Sequence, residues 1–195
     1  AFLLAAERAR ARGPGFATAV ASALDDWFWI RKVHLAATGT DTRVLLDAAR
    51  ALDPDPMQCR LREILSALDV EGLVSLALEE RASELPPRSQ VLLGIALQDL
   101  GRSEVAIPLL EAVAFRDPGD VWAHYYLGWA LYQNRRCEES LTFMTAVLAL
   151  RPRSAVAHNR FYQHYVLADG ATRANQRGLA QAAQLPPATG EQIAD

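Results

Sequence analysis

The sequence predicts an all-α fold, a right-handed α-solenoid of about five helical hairpins. Pro118, Pro152 and Pro186 are spaced 34 residues apart. A fixed period of this length is typical of arrays in which each hairpin buries its apolar face against its neighbours. The chain shows no sustained alternation of β-branched residues of the kind that would predict strands. Three dipeptides also recur with the same period: Leu93-Gly94 as Leu127-Gly128, Ala96-Leu97 as Ala130-Leu131, and Ala112-Val113 as Ala146-Val147.

The first segment, residues 1–16, is predicted to be an N-terminal helix followed by a linker. The helix is expected to stop at Gly13-Pro14-Gly15, because glycine and proline both interrupt helices. The repeat domain is predicted over residues 17–188, and residues 189–195 are predicted to be a disordered tail. Because the chain opens at Ala1 without a methionine, we expect it to be part of a longer protein.

The repeat domain resolves into helical pairs that each close near a proline. The two less regular pairs come first, with predicted helices at 24–37 and 41–52, then at 57–68 and 71–83. The best repeats are 87–120, 121–154 and 155–188, with predicted helices at 89–100 and 104–115, at 121–133 and 138–150, and at 155–167 and 172–184. In the central repeat, Ala123, Leu127 and Ala130 have helical spacing, and Arg151 precedes the proline that ends the second helix.

This pattern resembles the tetratricopeptide repeat (TPR). That family places small residues where the two helices of a hairpin cross, large apolar residues beside them, and proline at the end of the hairpin. The matching positions are Leu127, Gly128, Leu131, Ser140, Met144, Val147 and Pro152 in one repeat, and Leu93, Gly94, Leu97, Ala106, Leu110, Val113 and Pro118 in the repeat before it. Repeat 155–188 departs from the pattern, since Tyr162 stands where a small residue is expected.

A narrower resemblance covers the first half of the chain. Residues 24–32 (LDDWFWIRK) and 45–65 are similar to repeat regions that follow the kinase domain in planctomycete serine/threonine protein kinases. The resemblance implies a bacterial, cytoplasmic accessory region of a signalling kinase. This chain has no glycine-rich phosphate loop and no His-Arg-Asp or Asp-Phe-Gly motif, so phosphoryl transfer cannot reside in it. The resemblance leaves open a kinase domain elsewhere in the full-length protein.

Composition limits the classes of partner. The formal net charge of −3 and the pI of about 5.8 count against nucleic acid, and no apolar run is long enough to span a bilayer. Cys59 and Cys137 are too few for a disulfide framework and predict a reducing, cytosol-like compartment. We expect no cofactor and no metal. His124 and His158 lie one period apart, but without companion ligands we interpret them as structural histidines.

One acidic pair and one aromatic cluster need an explanation. Asp25-Asp26 is interpreted as the acidic start of a helix, favoured by the helix dipole. Five large aromatics lie within residues 122–132, more than a single buried stripe can hide. In TPR proteins the first helix of each hairpin lines a concave groove. By this resemblance the partner-binding groove comprises Val91, Ile95, Trp122, Tyr125, Tyr126, Trp129, Tyr132, Asn159, Arg160 and Gln163.

The function these features favour is a non-catalytic module that binds a peptide or partner helix in its groove. The alternative is a structural spacer between domains with no groove ligand, in which the aromatics only pack between adjacent hairpins. The lysine and asparagine clamp that some TPR proteins use for C-terminal carboxylates is rejected, because Val91, Ile95 and Tyr126 occupy its positions and only Arg160 keeps its chemistry.

Overall fold

The computed structural model describes residues 2–35 and 40–168, and all the regular structure in these ranges is helical. The helices are α1 (Phe2–Ala11), α2 (Pro14–Trp29), α3 (Thr40–Leu52), α4 (Pro56–Ala67), α5 (Val70–Leu78), α6 (Pro87–Asp99), α7 (Ser103–Arg116), α8 (Val121–Gln133), α9 (Cys137–Leu150) and α10 (Ala155–Ala168). A π-helical segment, Ile30–His34, continues α2, and a 3₁₀ helix, Glu80–Glu84, follows α5. The predicted all-α class is therefore confirmed.

The chain divides into two compact units, residues 1–105 and 106–195. In the first unit α2 packs on α3, α1 packs on both, and α5 packs on α4 and α6. Ala17 and Ala21 of α2 form a small apolar core with Ala49 and Leu52 of α3. In the second unit α9 packs on both α8 and α10. A single repeat domain over 17–188 stays a prediction.

Helix α2 begins at Pro14, well before the predicted start at Leu24. Gly13 adopts a φ of 117°, which glycine reaches without strain, and Pro14 follows in the first turn of the helix. Proline is favoured there because the backbone N–H that it lacks would have no partner within the first turn of a helix. The residues predicted as a linker are thus the start of α2.

The dipole interpretation of Asp25-Asp26 is wrong, because both residues lie near the end of α2 and form ion pairs. Asp25 is buried and accepts two bonds from the Nε of Arg62, at 2.9 and 3.1 Å, and one from its Nη2 at 3.0 Å. The Nη1 of Arg62 donates to the carbonyl of Asp53 at 2.6 Å. Asp26 pairs with Arg88, with N–O distances of 2.8 and 2.6 Å. Burial of charge is tolerated here because each charge has a bonded partner.

The hairpin of α8 and α9 shows the local chemistry of the repeat. The Asp120 carboxylate caps α8 by accepting from the N–H groups of Trp122 and Ala123, at 2.9 and 3.1 Å. In the turn after α8, Arg135 adopts a left-handed φ of 61°. Gly101, one period earlier, has a φ of 78° at the equivalent position.

Gly128 permits the close approach of α8 and α9 that the repeat pattern predicts. A Cβ at this position would meet the Cε of Met144 and would lie 3.4 Å from the carbonyl oxygen of Ser140. Ser140 is fully buried, and its hydroxyl donates to the Gly128 carbonyl at 2.8 Å. The small residues therefore stand where the two helices cross.

Two predictions lie outside the described residues. These are the second helix of the last repeat, at 172–184, and the disordered tail at 189–195. Helix α5 ends at Leu78, so the prediction of one helix to residue 83 is wrong, and the rest of that segment is the 3₁₀ helix.

Candidate functional site

The five aromatic side chains of α8 form one surface, which we call the aromatic face (Trp122, Tyr125, Tyr126, Trp129 and Tyr132). At its N-terminal end Trp122 stacks on Tyr126 with a centroid distance of 6.1 Å and contacts Tyr125 edge to face at 6.2 Å. Trp122 is 47% exposed, whereas the other four are half-buried. The N-terminal end of the face therefore offers apolar surface to solvent.

Arg160 of α10 lies over the middle of the aromatic face. Its guanidinium carbon is 4.5 Å from the centroid of the Trp129 ring, and its Nε donates to the Tyr125 hydroxyl at 3.0 Å. Its Nη1 donates to the Oε1 of Gln163 at 3.1 Å. These contacts fix the guanidinium plane. Among the described residues they engage two of its five N–H groups, so the others remain for an acceptor on a ligand.

The C-terminal end of the face packs on a buried histidine that the sequence did not single out. The His164 ring stacks on Tyr132 at a centroid distance of 4.3 Å and lies 5.9 Å from Trp129. Its Nδ1 is hydrogen-bonded to the Ser140 hydroxyl. Since that hydroxyl gives its proton to the Gly128 carbonyl, the Nδ1–H of His164 is the donor in this bond.

The buried His164 ring is held neutral. Its Nε2 has no hydrogen-bond partner among the described residues, so a second proton there would be a buried donor without an acceptor. Burial, and secondarily the Arg160 cation, lower the pKa of His164 to about 4. The repeat offers a signal for this residue, because the equivalent residues one and two periods earlier, Ala130 and Ala96, are fully buried and small.

His124 and His158, interpreted from the sequence as structural histidines, each make one hydrogen bond to the backbone. The Nε2 of His124 donates to the Pro118 carbonyl at 3.1 Å, and that of His158 donates to the Pro152 carbonyl at 2.9 Å. Each imidazole therefore ties the start of a helix to the proline that closes the preceding hairpin. Both do so with the same spacing in consecutive repeats.

The remaining predicted groove residues divide into buried and exposed positions. Val91 and Ile95 are 0% and 8% exposed, because α6 is buried on all sides from Ser89 to Gln98. They present no surface to a ligand and are not carried into the proposal below. Asn159 and Gln163 are exposed on α10 beside Arg160. The surface that the structure assembles thus belongs to α8 and α10.

Other kinds of site find no support in the described part of the chain. Residues 2–35 and 40–168 contain no group of three or more histidine, cysteine, aspartate or glutamate side chains placed to hold a metal ion. None of their helices has the length and apolar character needed to cross a membrane. Cys59 and Cys137 are both free thiols.

Residues 91–155 match the profile of the tetratricopeptide repeat family. This stretch includes the α8–α9 hairpin and all five residues of the aromatic face. No curated protein sequence matches the chain at a significant level.

Solved structures extend the comparison over most of the chain. MamA AMB-1 aligns with 89% of this chain and 96% of its own, with a TM-score of 0.57 and 20% sequence identity. A mutant form of MamA aligns with 85% of this chain and 97% of its own, with a TM-score of 0.56 and 19% identity. YrrB, a TPR protein with an unusual peptide-binding site, aligns with 96% of this chain and 93% of its own, with a TM-score of 0.58 and 17% identity. The fold is that of tetratricopeptide-repeat proteins. The predicted fold class is confirmed on this likeness.

Proposed function

We propose that the chain is a non-catalytic interaction module that binds a peptide or a partner helix on the aromatic face and Arg160. The observation that carries the proposal is that an exposed tryptophan on α8 and a guanidinium on α10 both contact Tyr125. Trp122 is 47% exposed, and Arg160 is held by Tyr125 and Trp129. Tryptophan, tyrosine and arginine are the residue types that most often dominate binding energy at interfaces.

The chemistry of the surface defines the ligand. An apolar or aromatic side chain of the ligand would pack on Trp122 and Tyr126, and a carbonyl or carboxylate oxygen would accept from Arg160. Asn159 and Gln163 add exposed amides at the rim. YrrB supports this proposal, since it has the same fold and a peptide-binding site.

The wider setting follows from the resemblance of residues 24–32 and 45–65 alone. We infer an accessory region of a bacterial signalling kinase, in the cytoplasm, with no nucleic-acid ligand. The two free thiols and the net charge of −3 agree with this setting. The chain's own contribution in that setting is binding rather than phosphoryl transfer.

A peptide-display selection tests the proposal. Immobilised wild-type protein should enrich peptides that the Trp122→Ala and Arg160→Gln variants fail to enrich. Phe115→Ala is the matched control, because Phe115 is also an exposed aromatic of the second unit, 74% exposed. If all four proteins enrich the same peptides, the aromatic face is not the binding site. If none enriches any peptide, the spacer alternative holds.

A further inference from the structure

The guanidinium of Arg160 has no carboxylate partner among the described residues, although it is half-buried. Its contacts are all to neutral groups. The Nε donates to the Tyr125 hydroxyl, the Nη1 donates to the Gln163 amide oxygen, and the cation lies over the Trp129 ring. These groups orient the charge but do not neutralise it.

The chain supplies carboxylates to arginines elsewhere. In the first unit the buried Arg62 pairs with Asp25, with an N–O distance of 2.9 Å. In the second unit Arg136 pairs with Glu139 at 2.6 Å. Removing a charge from water is unfavourable unless an opposite charge compensates it. In the described part of the chain, the charge of Arg160 is therefore left for an anion on a ligand.

The hydroxyl next to the guanidinium is a second hydrogen-bond donor. The Tyr125 oxygen accepts from the Nε of Arg160 at 3.0 Å, and its own proton has no acceptor among the described residues. The Nη2 of Arg160 has no acceptor there either. A carboxylate accepts hydrogen bonds and donates none, so one carboxylate could take a proton from each of these two neighbouring groups.

The charge of Arg160 also acts on the interior of the second unit. Burial, and secondarily the Arg160 cation, lower the pKa of His164. No carboxylate of the described residues opposes the cation in this effect. The middle of the aromatic face is therefore electropositive, although the chain as a whole has a net charge of −3.

We propose that Arg160 and Tyr125 bind the carboxylate of an aspartate or glutamate side chain, and that the ligand of the aromatic face is an acidic peptide. This inference rests on the proposed function and specifies its ligand. The aromatic face continues on both sides of the guanidinium, from Trp122 to Tyr132. A bound segment would run past Arg160, so the carboxylate belongs to a side chain and not to a chain terminus.

The geometry of α8 sets the spacing of residues within the ligand. Arg160 contacts Tyr125 and Trp129, which lie about 4.5 and 10.5 Å from Trp122 along the helix axis at about 1.5 Å per residue. The carboxylate should therefore lie roughly 7 Å from an apolar side chain packed on Trp122. That distance corresponds to about two residues of an extended peptide, or about one turn of a helical one.

Peptides selected by display on the wild-type protein, and synthesised with amidated C-termini, test the proposal. Calorimetric titration compares each peptide with a neutral counterpart in which glutamate is replaced by glutamine, or aspartate by asparagine. On the wild type the neutral counterpart should bind about tenfold more weakly, because a hydrogen bond to a charged group is lost. On Arg160→Gln the two peptides should bind with equal affinity, because the partner of the carboxylate is gone.

Two further variants separate the pairing from a general effect of charge. Arg153→Gln removes the same charge from an exposed position in the loop before α10 and is the matched control. It should keep the full preference for the acidic peptide. Tyr125→Phe keeps the ring and removes the hydroxyl, so the preference should become smaller. Circular dichroism verifies that each variant is folded.

Three outcomes would overturn the proposal while leaving peptide binding by the aromatic face in place. The first is a set of selected peptides without an acidic residue at a constant distance from an apolar one. The second is an Arg160→Gln variant that keeps the full preference for the acidic peptide. The third is loss of binding on amidation, which would assign the carboxylate to the chain terminus. Failure to select any peptide would overturn the proposed function, and this inference with it.

Discussion

Acidification should destabilise the fold through His164. The imidazole is fully buried, and its pKa is lowered to about 4 from an ordinary value of 6.5. Between these two pH values the unfolded chain binds a proton at His164 that the folded chain rejects. The stabilising contribution is therefore complete above pH 6.5 and is lost as the pH falls towards 4.

The magnitude follows from the distance between the two pKa values. It corresponds to about 3 kcal/mol of unfolding free energy, a large share of the roughly 5–15 kcal/mol that stabilises an ordinary domain. The physical cause is the buried Nε2, which has no acceptor among the described residues for a second proton. Burial raises the pKa of the Asp26 carboxyl, so acidification at Asp26 stabilises the fold and opposes the effect of His164. The wild type must therefore be compared with a variant rather than considered alone.

Urea unfolding at several pH values between 4 and 6.5 measures the effect. His164→Phe keeps a ring against Tyr132 and removes the titrating group. On acidification the unfolding free energy of the wild type should therefore fall by about 3 kcal/mol more than that of this variant. Val156→Ala, an exposed change on the same helix, is the control and should keep the wild-type pH dependence. Equal pH dependence in the wild type and His164→Phe would refute the reasoning.

Three further changes test the packing by urea or thermal unfolding. Gly128→Leu should lower the unfolding free energy by about 1–3 kcal/mol by overpacking the helix crossing against Met144. Gly128→Ala should lower it less, because the end of the methionine can move and alanine favours helix over glycine by about 1 kcal/mol. Equal melting temperatures for the two variants would contradict the crossing. Arg62→Met should lower the unfolding free energy by about 3–5 kcal/mol by leaving the Asp25 carboxylate buried and unpaired. Adding Asp25→Leu should restore most of that stability. No recovery in the double variant would show that loss of the ion pair does not cause the destabilisation. Arg135→Gly should stabilise the chain by about 0.5–1 kcal/mol by relieving a left-handed φ of 61°, and a loss of stability would contradict that assignment.

The regular repeats were predictable because their signals are local. The bounds of α8 agree with the sequence prediction at both ends, since Asp120 supplies a capping carboxylate and the apolar positions keep helical spacing. The crossing of α8 and α9 was predictable for the same reason, because Gly128 and Ser140 recur as small residues within the period. The 34-residue period and the helical spacing of apolar residues were therefore sufficient to predict the fold.

Interactions between distant positions were not predictable. Asp25 and Arg62 are 37 residues apart, and nothing in the sequence around Asp25 indicates a buried partner. His164 and Ser140 are 24 residues apart, and their bond depends on how α9 and α10 pack. The start of α2 was mistaken because Pro14 was interpreted as a helix stop, although proline in the first turn also begins helices.

The central claim is that the aromatic face and Arg160 bind a peptide, and calorimetric titration with a peptide enriched on the wild type tests it most directly. The account predicts that Trp122→Ala and Arg160→Gln each weaken the affinity at least about tenfold, a loss of about 1.4 kcal/mol or more. Phe115→Ala should bind as the wild type does. Equal dissociation constants for all four proteins would contradict the account.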